Sequence, residues 1–377
     1  MNKGSIVSRK IPQAPAEIRE LVPYQPGKPI EELERELGIK GAIKLASNEN
    51  PLGPSPRAVA AMRAALENLH RYPDGAGYQL RQALSRHFDL PLERICLGNG
   101  SDEIIEFLTR AYIRPGQEAV AAAPSFLMYS KLVQVGGGRL REVPLRDFRL
   151  DLEAMLAAIT PATRLVFVNN PDNPAGTAVS AAEFGRFLDR VPAGILVVLD
   201  EAYIDFATDP QVARGQDFLE HDTPVVVMRT FSKSAGLAGL RIGYALGPAQ
   251  VIADFDRVRQ PFNTSILAQV GGAAALADRE FLERTRALVT EGLARFYACF
   301  DKLGLFYVPS QANFVLVRIG PRAQEVSQAL LRRGVIVRYM GSYDLPEYLR
   351  ISVGLPDENQ RFCRELEDIL GSGDGEE

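Results

Sequence analysis

The residues with chemical potential fall into a few short segments. Arg229-Thr-Phe-Ser-Lys-Ser-Ala-Gly-Leu-Ala-Gly-Leu-Arg241 puts Thr230, Ser232, Lys233 and Arg241 in one small-residue loop. Hydroxyls and an arginine suit a phosphate, which arginine grips with two parallel hydrogen bonds. A lysine held among small residues can form a Schiff base with a carbonyl compound. A lone lysine is usually a solvated loop side chain; the neighbouring hydroxyls, glycines and arginine argue otherwise here. Asp200 ends an apolar run, where a carboxylate is costly unless paired. A cationic ring nitrogen about 4 Å away would be worth roughly 4 kcal/mol at an effective dielectric near 20, before desolvation. The other reading is a carboxylate capping the following turn, with Glu201 beside it; Tyr203 can reach the same ligand.

Three further segments carry weaker signals. In Leu97-Gly-Asn-Gly-Ser-Asp-Glu103, Gly98 and Gly100 permit close approach, and the amides after Ser101 favour an anion. An ordinary helix capped by Ser101 or Asp102 reads equally well. Asn169-Asn-Pro-Asp-Asn-Pro-Ala-Gly176 offers Asn side chains to a ligand hydroxyl, or is a plain turn. Arg350 suits a substrate carboxylate or a surface salt bridge.

Most of these segments follow candidate strands. The runs 95–97, 119–122, 165–169, 195–200, 225–230 and 242–246 are short, apolar and lack polar alternation, as strands buried on both faces are. Helical patterns at 102–112 and 181–190 alternate with them, so an α/β fold with a mostly parallel sheet is expected. Such sheets bind ligands at the carboxyl ends of their strands. Residues 1–36 read as a polar arm. After about residue 265 the pattern changes to one long helical stretch at 267–303, strands at 314–318 and 349–353, and a helix at 357–370 with Asp357 as N-cap. The domains expected are therefore 37–265 and 266–370, the second with part of the N-terminus, followed by a disordered tail at 371–377.

The chain has 377 residues, with 43 basic against 47 acidic and a formal net charge of −4. It lacks the basic footprint of a nucleic-acid binder. Three Cys (Cys96, Cys299, Cys363) and three His lack metal-ligand spacing, and the cysteines read as core thiols in a reducing compartment. No leader-like or membrane-length apolar run is seen, so a cytoplasmic protein is expected.

In order, SDE at 101–103, NNPDNPAG at 169–176, DEAY at 200–203, TFSKSAGLAGLR at 230–241 and YLRISVG at 348–354 resemble the fold-type I pyridoxal-phosphate aminotransferases. The resemblance spans residues 24 to 354. Within that superfamily, VPY at 22–24, LASNENP at 45–51, RYPD at 71–74, RQPFN at 259–263 and GVIVR at 334–338 are most similar to histidinol-phosphate aminotransferases.

The resemblance implies a seven-stranded-type, mostly parallel sheet flanked by helices, a smaller α+β domain, and a homodimer with shared sites. It implies pyridoxal phosphate as cofactor, small-molecule amino donors and keto acids as substrates, and ping-pong transfer between histidinol phosphate and glutamate. Lys233 would carry the cofactor and shuttle the substrate α-proton. Asp200 would pair with the pyridine nitrogen, and Asn173 and Tyr203 with the phenolic oxygen. Ser101, Asp102, Thr230, Ser232 and Arg241 would hold the phosphate, helped by Tyr72 of the neighbouring subunit; Phe126 would stack on the ring. Asn48 and Arg350 would take a substrate carboxylate, and Tyr24 and Arg338 the histidinol phosphate group. The sequence departs from the pattern at Phe126, where Tyr is common. Asp172 and Ala175 stand where Asn and Thr are usual, and Tyr339 where Pro is. An aromatic amino acid aminotransferase and a threonine-phosphate decarboxylase are the alternatives within the fold. A non-enzymatic regulator would need an appended basic module, and a nicotinamide dehydrogenase would need a glycine fingerprint.

Overall fold

A computed structural model describes residues 12–23 and 27–371. Its larger sheet has seven strands, in the order Ile95–Gly98, Gly243–Leu246, Val225–Thr230, Leu196–Asp200, Thr163–Asn169, Glu118–Ala123 and Arg139–Pro144. Only Gly243–Leu246 runs antiparallel to its neighbours. The central strands are apolar throughout because both faces are covered. Alternate residues divide between two cores: Val166, Val168, Val197, Leu199, Val225 and Val227 pack on one side. Leu165, Phe167, Leu196, Val198, Val226 and Met228 pack on the other.

The second sheet has five strands, in the order Ile43–Leu45, Val335–Tyr339, Tyr348–Ser352, Phe314–Arg318 and Tyr307–Val308. It packs on the helices Arg279–Lys302 and Pro356–Gly371 through Phe296, Phe300 and Phe362. Tyr203 and Phe206, which follow a strand of the larger sheet, belong to this same core. That contact places the carboxyl edge of the larger sheet against the smaller one.

The structure corrects several expectations. The helical stretch expected at 267–303 is two helices, Ile266–Leu276 and Arg279–Lys302. Asp278 separates them and caps the second, accepting from the Phe281 amide at 3.4 Å. Asp357 is not the N-cap of the last helix. Pro356 is already its first residue, where a missing N–H costs nothing. Of the polar arm expected at 1–36, residues 1–11 and 24–26 lie outside the described residues, and its end forms the helix Ile30–Leu37, whose Leu33 is buried with Ala42, Ala46 and Ile336. Ile43–Leu45 pairs in parallel with Val335–Val337, so this early strand belongs to the smaller sheet. Gly371 ends the last helix; residues 372–377 lie outside the described residues.

Candidate active site

Lys233 sits in the loop after Val225–Thr230. The loop is tied by Leu237 N to Phe231 O at 3.0 Å and Gly236 N to Lys233 O at 3.1 Å. Gly236 holds φ +68°, and a Cβ there would lie 1.9 Å from the Gly53 carbonyl oxygen. The Lys233 ammonium donates to the Ser47 carbonyl at 3.2 Å and lies 5.9 Å from the centre of the Tyr203 ring. Burial, reinforced by the charge of Arg350, pushes its pKa down to about 8. The amine is thus within reach of its neutral, nucleophilic form near physiological pH.

Asp200 is paired in register with Asn169 and Met228 on the neighbouring strands. Burial is the main cause that raises its pKa to about 6. Its Oδ1 accepts from the Ala202 amide at 3.1 Å and its Oδ2 from the Tyr129 hydroxyl at 2.6 Å. Turn capping and a buried hydrogen bond therefore coexist at this carboxylate. Glu201 is not part of the cluster: it faces away, accepting from Arg229 Nε at 2.7 Å and Gly215 N at 2.6 Å.

Ser101 and Asp102 open the helix Ser101–Tyr112. Neither is its cap; Gly100 is, with φ +77°, and among the described residues no side chain caps the first-turn amides. The amides there remain available to an anion. A Cβ on Gly100 would meet Arg241 Nη2 at 2.5 Å, and one on Gly243 would meet Ser101 N at 2.8 Å. Glycine therefore keeps this pocket open. Arg241 lies 3.2 Å from the Asp102 carboxylate, and Thr230 Oγ1 donates to Ser232 Oγ at 2.9 Å. Amides, two hydroxyls and a guanidinium converge on a cradle suited to a phosphate.

The substrate-side residues also meet. Arg350 is buried, donates through Nη1 to Asn173 Oδ1 and through Nη2 to the Ala46 carbonyl at 3.1 Å, and lies 5.2 Å from the Phe314 ring centre. Its Nε has no partner among the described residues. It is therefore not a surface salt bridge. Asn48 Nδ2 donates to the Tyr203 hydroxyl at 3.0 Å, and Asn48 Oδ1 accepts from Ser352 Oγ at 2.8 Å. Burial raises the Tyr203 pKa to about 12, which keeps its hydroxyl a donor. Arg338, half-buried, lines a cavity of about 420 Å³ with Lys28 and Tyr339. Phe126 is half-buried. Tyr72 is 81 % exposed and stacks on Phe262 at 4.8 Å. Tyr24 lies outside the described residues.

Sequence reasoning missed Tyr129, Ser47 and Ser352. A lone Tyr in a helix, a contact through the Ser47 carbonyl and a Ser352 hydroxyl that meets Asn48 from 304 residues away leave no spacing pattern to find. Asp172, a departure from the family pattern, is fully buried; its Oδ2 accepts from Ala175 N at 3.1 Å while its Oδ1 has no partner among the described residues. Burial lifts its pKa to about 7.

Residues 40–366 match the family model of aminotransferases of class I and II. The chain belongs to that family. This aminotransferase is 47 % identical over 361 residues to the histidinol-phosphate aminotransferase of Moorella thermoacetica, covering 96 % of this chain and 94 % of the relative. It is 48 % identical over 355 residues to histidinol-phosphate aminotransferase 2 of Pseudomonas aeruginosa, covering 94 % and 96 %. The crystal structure of the Sinorhizobium meliloti histidinol-phosphate aminotransferase, in complex with pyridoxal-5'-phosphate, superposes with a TM-score of 0.88 at 31 % identity, over 97 % of this chain and 99 % of that one. A Thermus thermophilus aspartate aminotransferase double mutant superposes at 0.82 with 26 % identity, covering 94 % and 99 %. The shared architecture serves more than one substrate.

Proposed function

We propose that this aminotransferase transfers the amino group of L-histidinol phosphate to 2-oxoglutarate, reversibly, using pyridoxal phosphate. The residues suit that cofactor: an uncapped helix start, Ser232, Thr230 and Arg241 form an anion cradle. Asp200, buried and held by Tyr129, suits a ring cation, and Lys233 has the depressed basicity of a reactive amine. Pyridoxal phosphate, when bound, supplies an aldehyde to carry the amino group and a ring to take up electrons.

The chain's own residues supply the rest. Lys233 takes the α-proton of the donor through Nζ and returns it. Asp200 would keep the ring nitrogen cationic, and Asn173 and Tyr203 would bond the phenolic oxygen. Phe126 would cover one face of the ring, and Tyr72 of a second copy would reach the phosphate in a homodimer. Arg350 and Asn48 take the carboxylate of glutamate. Arg338, with Tyr24, takes the phosphate of histidinol phosphate.

One observation carries the substrate reading. Arg338 and Arg350 stand directly opposite each other on antiparallel strands, so their side chains leave the same face of the sheet. Like charges so placed repel, and an anionic substrate relieves that repulsion. The test is a titration of the cofactor-loaded protein with L-histidinol phosphate in the absence of keto acid. Stoichiometric bleaching of the visible band is expected. Bleaching by phenylalanine or tyrosine alone would replace this reading with an aromatic aminotransferase. Carbon dioxide release from threonine phosphate would identify the decarboxylase.

A further inference from the structure

One side chain touches two of the elements that would flank the ring of the cofactor. Tyr129, in the helix Met128–Val135, is 1 % exposed. Its hydroxyl donates to Asp200 Oδ2 at 2.6 Å. Its ring stacks on Phe167 of the central sheet, with centres 4.6 Å apart and planes 12° apart. It also meets the Phe126 ring edge-on at 5.6 Å and 86°. The sheet thus fixes the Tyr129 ring, and that ring fixes both the Phe126 plane and the Asp200 carboxylate.

We propose that Tyr129 is the positioning residue of this site, its hydroxyl holding Asp200 ionised and aimed at the ring nitrogen while its ring sets the Phe126 face. The inference rests on the reading of Asp200 as partner of the cofactor nitrogen. Burial disfavours the charged form of Asp200, and the Tyr129 hydroxyl and the Ala202 amide oppose that. The other charged groups acting on the pair, Asp102, Glu201 and Asp172, are all acidic. No neighbouring cation among those groups replaces the hydroxyl if it is lost. Burial and the Asp200 charge also hold the phenol proton firmly, so Tyr129 stays a donor.

Tyr129→Phe separates the two roles, because it removes the hydroxyl and keeps the ring. The measurements are pyridoxal phosphate affinity of the apoprotein across the acid-to-neutral range, and kcat and KM for the amino donor. A lost hydrogen bond to a charged group predicts about tenfold weaker cofactor binding. The acid-side loss of affinity should move toward neutral pH, because Asp200 then protonates more readily. kcat should fall while KM for the donor holds within about twofold, since donor contacts are untouched. Tyr129→Leu, which also removes the ring, should weaken cofactor binding further by releasing Phe126. Unchanged affinity and an unchanged pH profile in Tyr129→Phe would overturn the proposal. A melting temperature that drops with no movement of the pH profile would overturn it too, since it marks a packing role alone. If the wild-type apoprotein forms no visible band with pyridoxal phosphate, the reading of the whole site fails, a result distinct from either.

Discussion

Three carboxylates stand at the ends of adjacent strands, and each is stabilised differently. Glu201 is matched by Arg229, Asp200 by the Tyr129 hydroxyl, and Asp172 by the Ala175 amide at Oδ2, its Oδ1 having no partner among the described residues. A buried carboxylate without a cation is better off protonated. The Asp172 pKa, near 7 in the folded protein, lies above its unfolded value. Folding therefore takes up a proton at this residue between about pH 4 and 7, and the stability it brings falls as pH rises through that window. Asp172→Asn mimics the protonated acid without titrating. Its melting temperature should match wild type near pH 4 and exceed it above pH 7, by up to about 4 kcal/mol of stability. Thermal melts of both proteins across that range check it. Arg350 calls for a second substitution. Arg350→Lys keeps the charge but loses the fork that reaches Asn173 and Ala46 together. KM for glutamate should rise about 10- to 100-fold, the worth of a hydrogen bond to a charged group; steady-state kinetics with glutamate as donor read it directly.

At the scale of elements, legibility in the sequence followed burial. Strands covered on both faces, such as Thr163–Asn169 and Val225–Thr230, stood out as apolar runs. The edge strand Arg139–Pro144 did not, because only Val143 of its six residues is buried. Ile43–Leu45 is three residues long and its pairing partner lies nearly 300 residues away, so nothing local marks it. Two helices joined at Ala277 and Asp278 read as one, since the break rests on a cap that only folding reveals. The site was readable through its motifs because lysine, hydroxyls and arginine share one loop. Tyr129 was not, because its function arises from a contact between distant elements. The lysine loop also depends on one backbone choice. Gly236→Ala would force a Cβ into the Gly53 carbonyl and strain a positive φ. It should cost roughly 3 kcal/mol and displace Lys233, which a denaturant melt and the loss of the visible cofactor band would both report.

The whole molecule leaves a set of exposed apolar side chains unexplained by the chain itself. Leu66, Leu69, Tyr72, Tyr78 and Phe262 are each at least 45 % exposed, and Tyr72 rests on Phe262 rather than on the lysine loop. Exposed apolar and aromatic residues gathered along one segment mark an interaction site, and a twofold dimer places the same patch on both copies. If Tyr72 acts on the partner's cofactor, subunits with complementary defects should repair each other. Lys233→Ala leaves a subunit without its amine, and Tyr72→Ala leaves one without its contribution to the neighbour. Each variant alone should be nearly inactive. A heterodimer of the two contains one site with an intact Lys233 and an intact Tyr72, and one site with neither. Refolding an equal mixture should therefore regain about a quarter of wild-type activity, since half the random dimers are mixed and half their sites intact. If Tyr72 served its own subunit, every site in the mixture would still lack one residue and no activity would return. Sedimentation velocity on the same samples checks that the mixture is dimeric, so a failure to complement is read as a residue acting within its own chain.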